Sequence, residues 1–184
     1  DGSQNFTEHT VIATAENARI VFVADVDGDG DIDILSASEN DDTIAWYEND
    51  GNQSFTERII TTTADGAQAV FATDVDSDGD IDILSASFYD DTIAWYENDG
   101  NQNFTGHIIS VTANGAYGLF ATDIDGDGDM DILSASDQDD KVAWFENDGN
   151  QNFTERIVST EEDGVRNIFA ADVNGDGNMD LLTA

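Results

Sequence analysis

The sequence has no cysteine and no proline in 184 residues, and only five lysines and arginines. Without cysteine there is neither a disulfide framework nor a thiolate metal site, so redox compartment leaves no mark on the chain. With thiolates absent and only two histidines, the softer transition metals lack their preferred donors. The shortage of cations leaves 41 aspartates and glutamates largely uncompensated, for a formal charge of −36. Such a surface repels nucleic-acid phosphates and anionic headgroups, so no nucleic acid is expected as a partner. No apolar run approaches the roughly 20 residues of a spanning helix, so no membrane insertion is expected either. No signal peptide is visible, and a chain that begins at Asp1 need not begin where its gene does.

What the sequence does have is repetition. Asp25-Val-Asp-Gly-Asp-Gly-Asp-Ile-Asp33 returns at 74–82, 123–131 and 172–180, at an offset of 49 residues each time. Phe6-Thr7 recurs at Phe55, Phe104 and Phe153, and Trp46 at Trp95 and Trp144, all with the same offset. The acids are clustered accordingly, with five, five, five and three aspartates in the four windows. Neither intrinsic disorder nor a generally solvated acidic surface predicts that clustering. An apolar content of 39% also suits a packed core.

Each repeat carries four segments of strand character: Ile20 to Ala24, Ile32 to Ser38, Thr43 to Tyr47 and Phe55 to Thr61. The first is a nearly continuous apolar run, as expected of a strand buried on both faces. Asn49-Asp50-Gly51 between the third and fourth reads as a hairpin turn, where glycine supplies a positive φ at no steric cost. No segment shows helical spacing. Four antiparallel strands every 40–50 residues describe a β-propeller blade, with a β-solenoid or an array of small sandwiches as the alternatives. The expected fold is therefore all-β, one repeat domain over 1–184. The chain starts just before a fourth strand and ends after a second, giving three complete repeats and 37 further residues. The last blade is incomplete, so a portion of a longer propeller, or a ring completed by a partner chain, is expected.

The acidic loops have the chemistry of calcium sites. Ca²⁺ takes six to eight hard oxygens, and alternate residues of a tight loop direct carboxylates at one centre. In the first loop the set is Asp25, Asp27, Asp29 and Asp33, with the Asp31 carbonyl adding an oxygen and Gly30 allowing the reversal. The second offers Asp74, Asp76, Asp78, Asp80 and Asp82, with Ser77 in a glycine position. The third offers Asp123, Asp125, Asp127, Asp129 and Asp131. In the fourth, Asp172, Asp176 and Asp180 remain while Asn174 and Asn178 replace aspartates, which predicts the weakest of four Ca²⁺ sites. A helix–loop–helix site is excluded because Ser36 stands where a twelfth-position glutamate is required. Mg²⁺ demands a stricter octahedron and retains more water. Extracellular calcium modules bind with dissociation constants of roughly 10⁻⁴ to 10⁻³ M. At a hundred times that constant each site adds about 2.7 kcal/mol. Sites this weak stay empty in cytosol, so an extracellular, cell-surface or periplasmic location is expected.

These loops, followed by Trp46-Tyr-Glu-Asn and Asn-Asp-Gly, resemble the FG-GAP-like (VCBS-type) repeats, which are related to the integrin α-subunit propeller. The resemblance covers essentially the whole chain. It implies a ring of about seven blades with Ca²⁺ in the loop between the first and second strands of each. Phe22, Phe71, Phe120 and Phe169 stand without the Gly-Pro pattern that names the family. Adhesion, sugar binding and appendages of enzymes all occur within it.

Differences between repeats concentrate at the end opposite the acidic loops. Arg19, Gln68, Tyr117 and Arg166 are equivalent, as are Glu39-Asn40, Phe88-Tyr89 and Asp137-Gln138. Loops carry binding while the scaffold carries packing, so Arg19, Gln68, Phe88, Tyr89, Tyr117 and Arg166 are ligand candidates. Catalysis has less support. His9 and His107 sit at equivalent positions two blades apart, and no nucleophile motif or phosphate-cradling loop appears. The pairs Asp41-Asp42, Asp90-Asp91 and Asp139-Asp140 recur in every complete repeat, which argues for turn structure. The expectation is a calcium-binding secreted or surface recognition module for glycan or protein, and not an enzyme. The alternatives are the non-catalytic propeller of a larger polysaccharide-active or redox enzyme, and a structural spacer or assembly subunit.

Overall fold

The computed structural model describes residues 7–184, so Phe6 lies outside the described residues. Among the described residues fourteen strands follow in sequence order: β1 (Ala18–Ala24), β2 (Asp33–Ser38), β3 (Thr43–Asn49), β4 (Phe55–Thr61), β5 (Ala67–Thr73), β6 (Asp82–Ser87), β7 (Thr92–Asn98), β8 (Phe104–Ser110), β9 (Ala116–Thr122), β10 (Asp131–Ser136), β11 (Lys141–Asn147), β12 (Phe153–Ser159), β13 (Ile168–Ala171) and β14 (Asp180–Thr183). They form three four-stranded antiparallel meanders and one two-stranded sheet, β13–β14. This is the propeller-blade arrangement, one sheet per 49-residue repeat, in an open series. No helix among the described residues is long and apolar enough to cross a membrane.

The core lies between blades rather than within them. Leu35, Ala37, Ile44 and Trp46 of the first sheet pack against Ala67, Val70, Ala72 and Ile83 of the second. Leu84, Ala86, Ile93 and Trp95 then meet Ala116, Ala121, Ile132 and Phe145 of the third. Leu133, Ala135 and Val142 close on Val165, Ile168 and Ala170. The first strands of successive blades lie side by side, and their phenylalanines form a continuous file. Ring centroids are 4.7 Å apart for Phe22–Phe71, 5.4 Å for Phe71–Phe120 and 4.5 Å for Phe120–Phe169.

Two sequence expectations change at the leading edge. A first strand buried on both faces holds for β5, but Val21 and Val23 of β1 are 63% and 58% exposed. No other sheet among the described residues packs over them. The described part of the stretch equivalent to a fourth strand forms no strand over 7–17, and no third strand among the described residues pairs with it. Residues 8–13 and Ala15 instead lie over this face and, with Val21, Val23, Ile34 and Tyr47, line a cavity of about 550 Å³.

Neighbouring blades are stapled by the recurring aspartate pairs. Asp42, Asp91 and Asp140 adopt positive φ, and each accepts a hydrogen bond at Oδ1 from a glycine N–H (Gly66, Gly115, Gly164) at 2.9 Å. That glycine lies in the turn leading to the next repeat's first strand, so the second acid of each pair serves a turn that joins two blades.

Candidate metal centres and the opposite face

Each acidic loop leaves a first strand and curls back into a second. In the first loop Gly30 N–H donates to Asp25 Oδ2 at 3.0 Å, Asp29 N–H to Asp27 Oδ1 at 3.2 Å and Asp31 N–H to Asp29 Oδ1 at 2.8 Å. These bonds wrap the backbone around its own side chains. Gly30 at φ 95 makes the reversal, a region an L side chain enters only at a cost. Ser77 nonetheless holds φ 63 in the second loop, where the other loops have glycine.

The wrapping brings one oxygen each from Asp25, Asp27 and Asp29 within 4.8 Å of one another. Asp74, Asp76 and Asp78 converge in the same way, as do Asp123, Asp125 and Asp127. In the fourth loop Asp172 accepts from Gly175, Asp176 and Gly177, which holds its carboxyl below the ordinary aspartate value, the Gly177 bond contributing most. Asn174 Oδ1 accepts from Asp176 N–H at 2.8 Å, and Asn178 Nδ2 donates to Asp176 Oδ1 at 3.0 Å.

The remaining loop acids also make contacts of their own with the backbone and the hairpin. Asp33 is fully buried and clamps two backbone segments: Oδ2 accepts from Val26 N–H at 3.0 Å and Oδ1 from Asn49 N–H at 2.8 Å. Asp82 and Asp131 repeat both bonds, and Asp180 accepts from Val173 N–H at 3.0 Å. Asp80 and Asp129 lie against the hairpin glycines, where a Cβ on Gly100 or Gly149 would come within 2.5 Å of a carboxylate oxygen. Asp31 is placed likewise on Gly51. The hairpin and the acidic loop therefore form one unit, a link that the Asn-Asp-Gly spacing alone did not reveal.

Crowding shows in the protonation equilibria. Burial pushes the Asp82 carboxyl up to about 6, against the pull of the Asn98 and Val75 N–H groups. Burial first, and then the neighbouring Asp78 charge, raises Asp76. Asp27 rises chiefly through burial, with Asp29, Asp33 and Glu48 adding in the same direction. Glu48 is a nearby acid absent from the motif reading. It is held by Arg58, whose guanidinium lies 5.6 Å from the centre of the Trp46 ring.

The donor set fits a calcium ion. Asp25 Oδ1 is buried without a hydrogen-bond partner inside the chain, while its other oxygen is fixed by Gly30. An orphaned carboxylate oxygen beside two further carboxylates is the environment a hard divalent cation satisfies. Asp25, Asp27 and Asp29 would hold it, with their counterparts in the next two loops.

At the opposite end, five of the six ligand candidates come together. Arg19, Gln68, Phe88, Tyr117 and Arg166, with Glu39 and Asp137, line a cavity of about 190 Å³. The sixth, Tyr89, is 60% exposed and donates its hydroxyl to Glu39 Oε1 at 3.0 Å, at the rim. Arg19 pairs with Glu39, and Arg166 with Asp137 at 2.8 Å. The Arg166 guanidinium also lies 5.2 Å from the Tyr117 ring centre. His9 and His107 share no site; His107 stacks on Trp95 at 4.7 Å and meets Glu97.

Known proteins give two points of comparison. The profile of the family described as FG-GAP-like repeat matches residues 25–85, 74–134 and 123–183. Among solved structures, an Agrocybe aegerita lectin, described by its specific recognition of non-reducing terminal N-acetylglucosamine, is similar with a TM-score of 0.62 at 20% identity. The alignment covers 89% of this chain and 46% of that one, so the chain spans less than half of the lectin's length, and at this identity the likeness is one of fold. No curated protein matches the sequence.

Proposed function

This chain belongs to the FG-GAP-like repeat family, and on that premise we propose that it is a calcium-ordered propeller module that recognises a glycan or protein outside the cell and performs no catalysis. The observation that carries the calcium part is the orphaned Asp25 Oδ1 inside a convergent carboxylate triplet, a triplet repeated in the next two loops. Bound Ca²⁺ would neutralise those carboxylates and fix each of the first three acidic loops to its hairpin. The blade interfaces would then be ordered by the ion at one end while the other end stays free to vary. That second end carries the repeat-specific side chains around the cavity, and the lectin with a similar fold supports recognition as the role.

Calorimetric melting in millimolar CaCl₂ and in chelator tests the reading. Calcium raises the melting temperature by several degrees, and the rise saturates with metal concentration. An unchanged melting temperature would remove calcium from the account.

A further inference from the structure

The cavity at the variable end has a chemistry narrower than recognition in general. A second chamber of about 170 Å³ adjoins it, and Arg19, Gln68, Tyr117 and Arg166 line both. All four occupy equivalent repeat positions, Arg19, Gln68 and Tyr117 at the start of the innermost strands and Arg166 two residues before β13. They therefore meet at the axis end of the blade series, above the phenylalanine file. Gln68 is only 4% exposed, and its Oε1 has no hydrogen-bond partner within the chain. A buried carbonyl oxygen left unpaired is unfavourable unless something supplies a donor.

The charges around that oxygen balance. Two guanidiniums face two carboxylates, each cation already paired, so a further full charge of either sign finds no uncompensated partner. A paired guanidinium still has N–H groups to donate, and a paired carboxylate still has lone pairs to accept. Glu39 is held in place by Asn17 Nδ2 at 2.5 Å and by the Tyr89 hydroxyl at 3.0 Å, so its orientation is set before any ligand arrives. Phe88 adds an apolar wall, itself fixed edge-on against Tyr89 and Tyr117 at 5.4 and 6.4 Å. Donors and acceptors alternating in a neutral pocket, beside an aromatic ring and an amide oxygen in need of a donor, match a polyhydroxylated ring. The surrounding charge of −36 disfavours an anionic one.

We infer that this cavity binds a single neutral sugar residue, a hexose or N-acetylhexosamine, whose hydroxyl or amide N–H donates to Gln68 Oε1 and whose C–H face rests on Phe88. The inference deepens the recognition role proposed above and rests on it.

The test uses the full chain with calcium present, after the calcium-dependent melting shift has been recorded. Neutral hexoses and N-acetylhexosamines are titrated calorimetrically against glucuronic and sialic acids. At least one neutral sugar binds with one site per chain, and the acidic sugars bind more weakly. Gln68→Ala and Phe88→Asp each weaken that binding by about tenfold or more. Phe88→Asp installs the residue type that stands at the equivalent Asp137, so it preserves the fold, and an unchanged calcium-dependent melting shift verifies this for both variants. Three results overturn the inference: no heat with any neutral sugar, tighter binding of the acidic sugars, or wild-type affinity in both variants. Any of them alongside an intact calcium shift leaves the calcium reading standing, whereas loss of the shift itself falls on that reading.

Discussion

At the scale of single residues, the acidic loops combine groups with opposed proton linkage, Asp82 being raised by burial while backbone N–H groups lower Asp172. Asp82 has no exposed surface, and its carboxyl is pushed up to about 6. In the metal-free chain a raised folded value means that the folded form holds the proton longer than the unfolded form. Stability from this group is greatest below pH ~4, falls as pH rises towards 6, and is level above; the difference amounts to about 3 kcal/mol. Asp27, Asp76 and Asp131 shift in the same direction. Side-chain carboxyl NMR in chelator should give Asp82 a midpoint near 6, and excess calcium should move it down if the ion favours the charged loop. A midpoint at the ordinary aspartate value without metal would contradict the burial argument. Ser77 offers a simpler check. Its φ of 63 is held without glycine's freedom, so Ser77→Gly should raise stability by about 1 kcal/mol in urea titrations. No gain would mean that the loop relaxes around serine.

At the scale of elements, the hairpin glycines do more than turn the chain. Gly100 has φ 73, and a Cβ there would meet Asp80 Oδ2 at 2.5 Å, whereas Gly126 has φ 81 with nothing within 4 Å. Gly126→Ala should therefore cost about 1 kcal/mol, from backbone strain alone. Gly100→Ala should cost about 2 kcal/mol or more and also weaken calcium binding at the second loop. Equal costs for the two, measured by denaturant unfolding with and without calcium, would show that the contact between hairpin and loop has no energetic weight. Most of this level was legible in the sequence. The fourth strand, read as Phe55 to Thr61, forms over those residues, and the others shift by two residues or fewer at either end. Period-two patterning and turn residues are local signals, and these blades obey them. The roles of Asp33 and Gly51 were not legible. Spacing marks Asp33 as one acid among five, while its burial and its two backbone bonds depend on where β3 returns 16 residues later. The five variable-end residues were legible as a set because equivalent positions in stacked blades must share one end. Glu39 and Asp137 escaped the ligand reading because their importance lies in pairing with arginines that fold next to them.

At the scale of the molecule, stability depends on a blade having a neighbour. Val21 and Val70 are equivalent residues of β1 and β5, yet Val21 is 63% exposed and Val70 only 2%. Their local sequence and sheet are alike, so the difference comes from the sheet that does or does not precede them. At the trailing end Phe169 and Leu182 are exposed for the matching reason, at 51% and 43%. Val70→Ala removes methyls from a packed interface and should cost about 2 kcal/mol. Val21→Ala should stay within about 0.5 kcal/mol, as at other exposed sites. Urea titrations of the two variants at low protein concentration read this contrast directly. If the chain associates through its open faces, the cost of Val21→Ala should grow with protein concentration, because association buries the side chain and couples it to stability. A cost for Val21→Ala that matches Val70→Ala at every concentration would mean that the leading face is covered within the single chain, by the segment at residues 8–15 packing more closely than its exposed valines indicate.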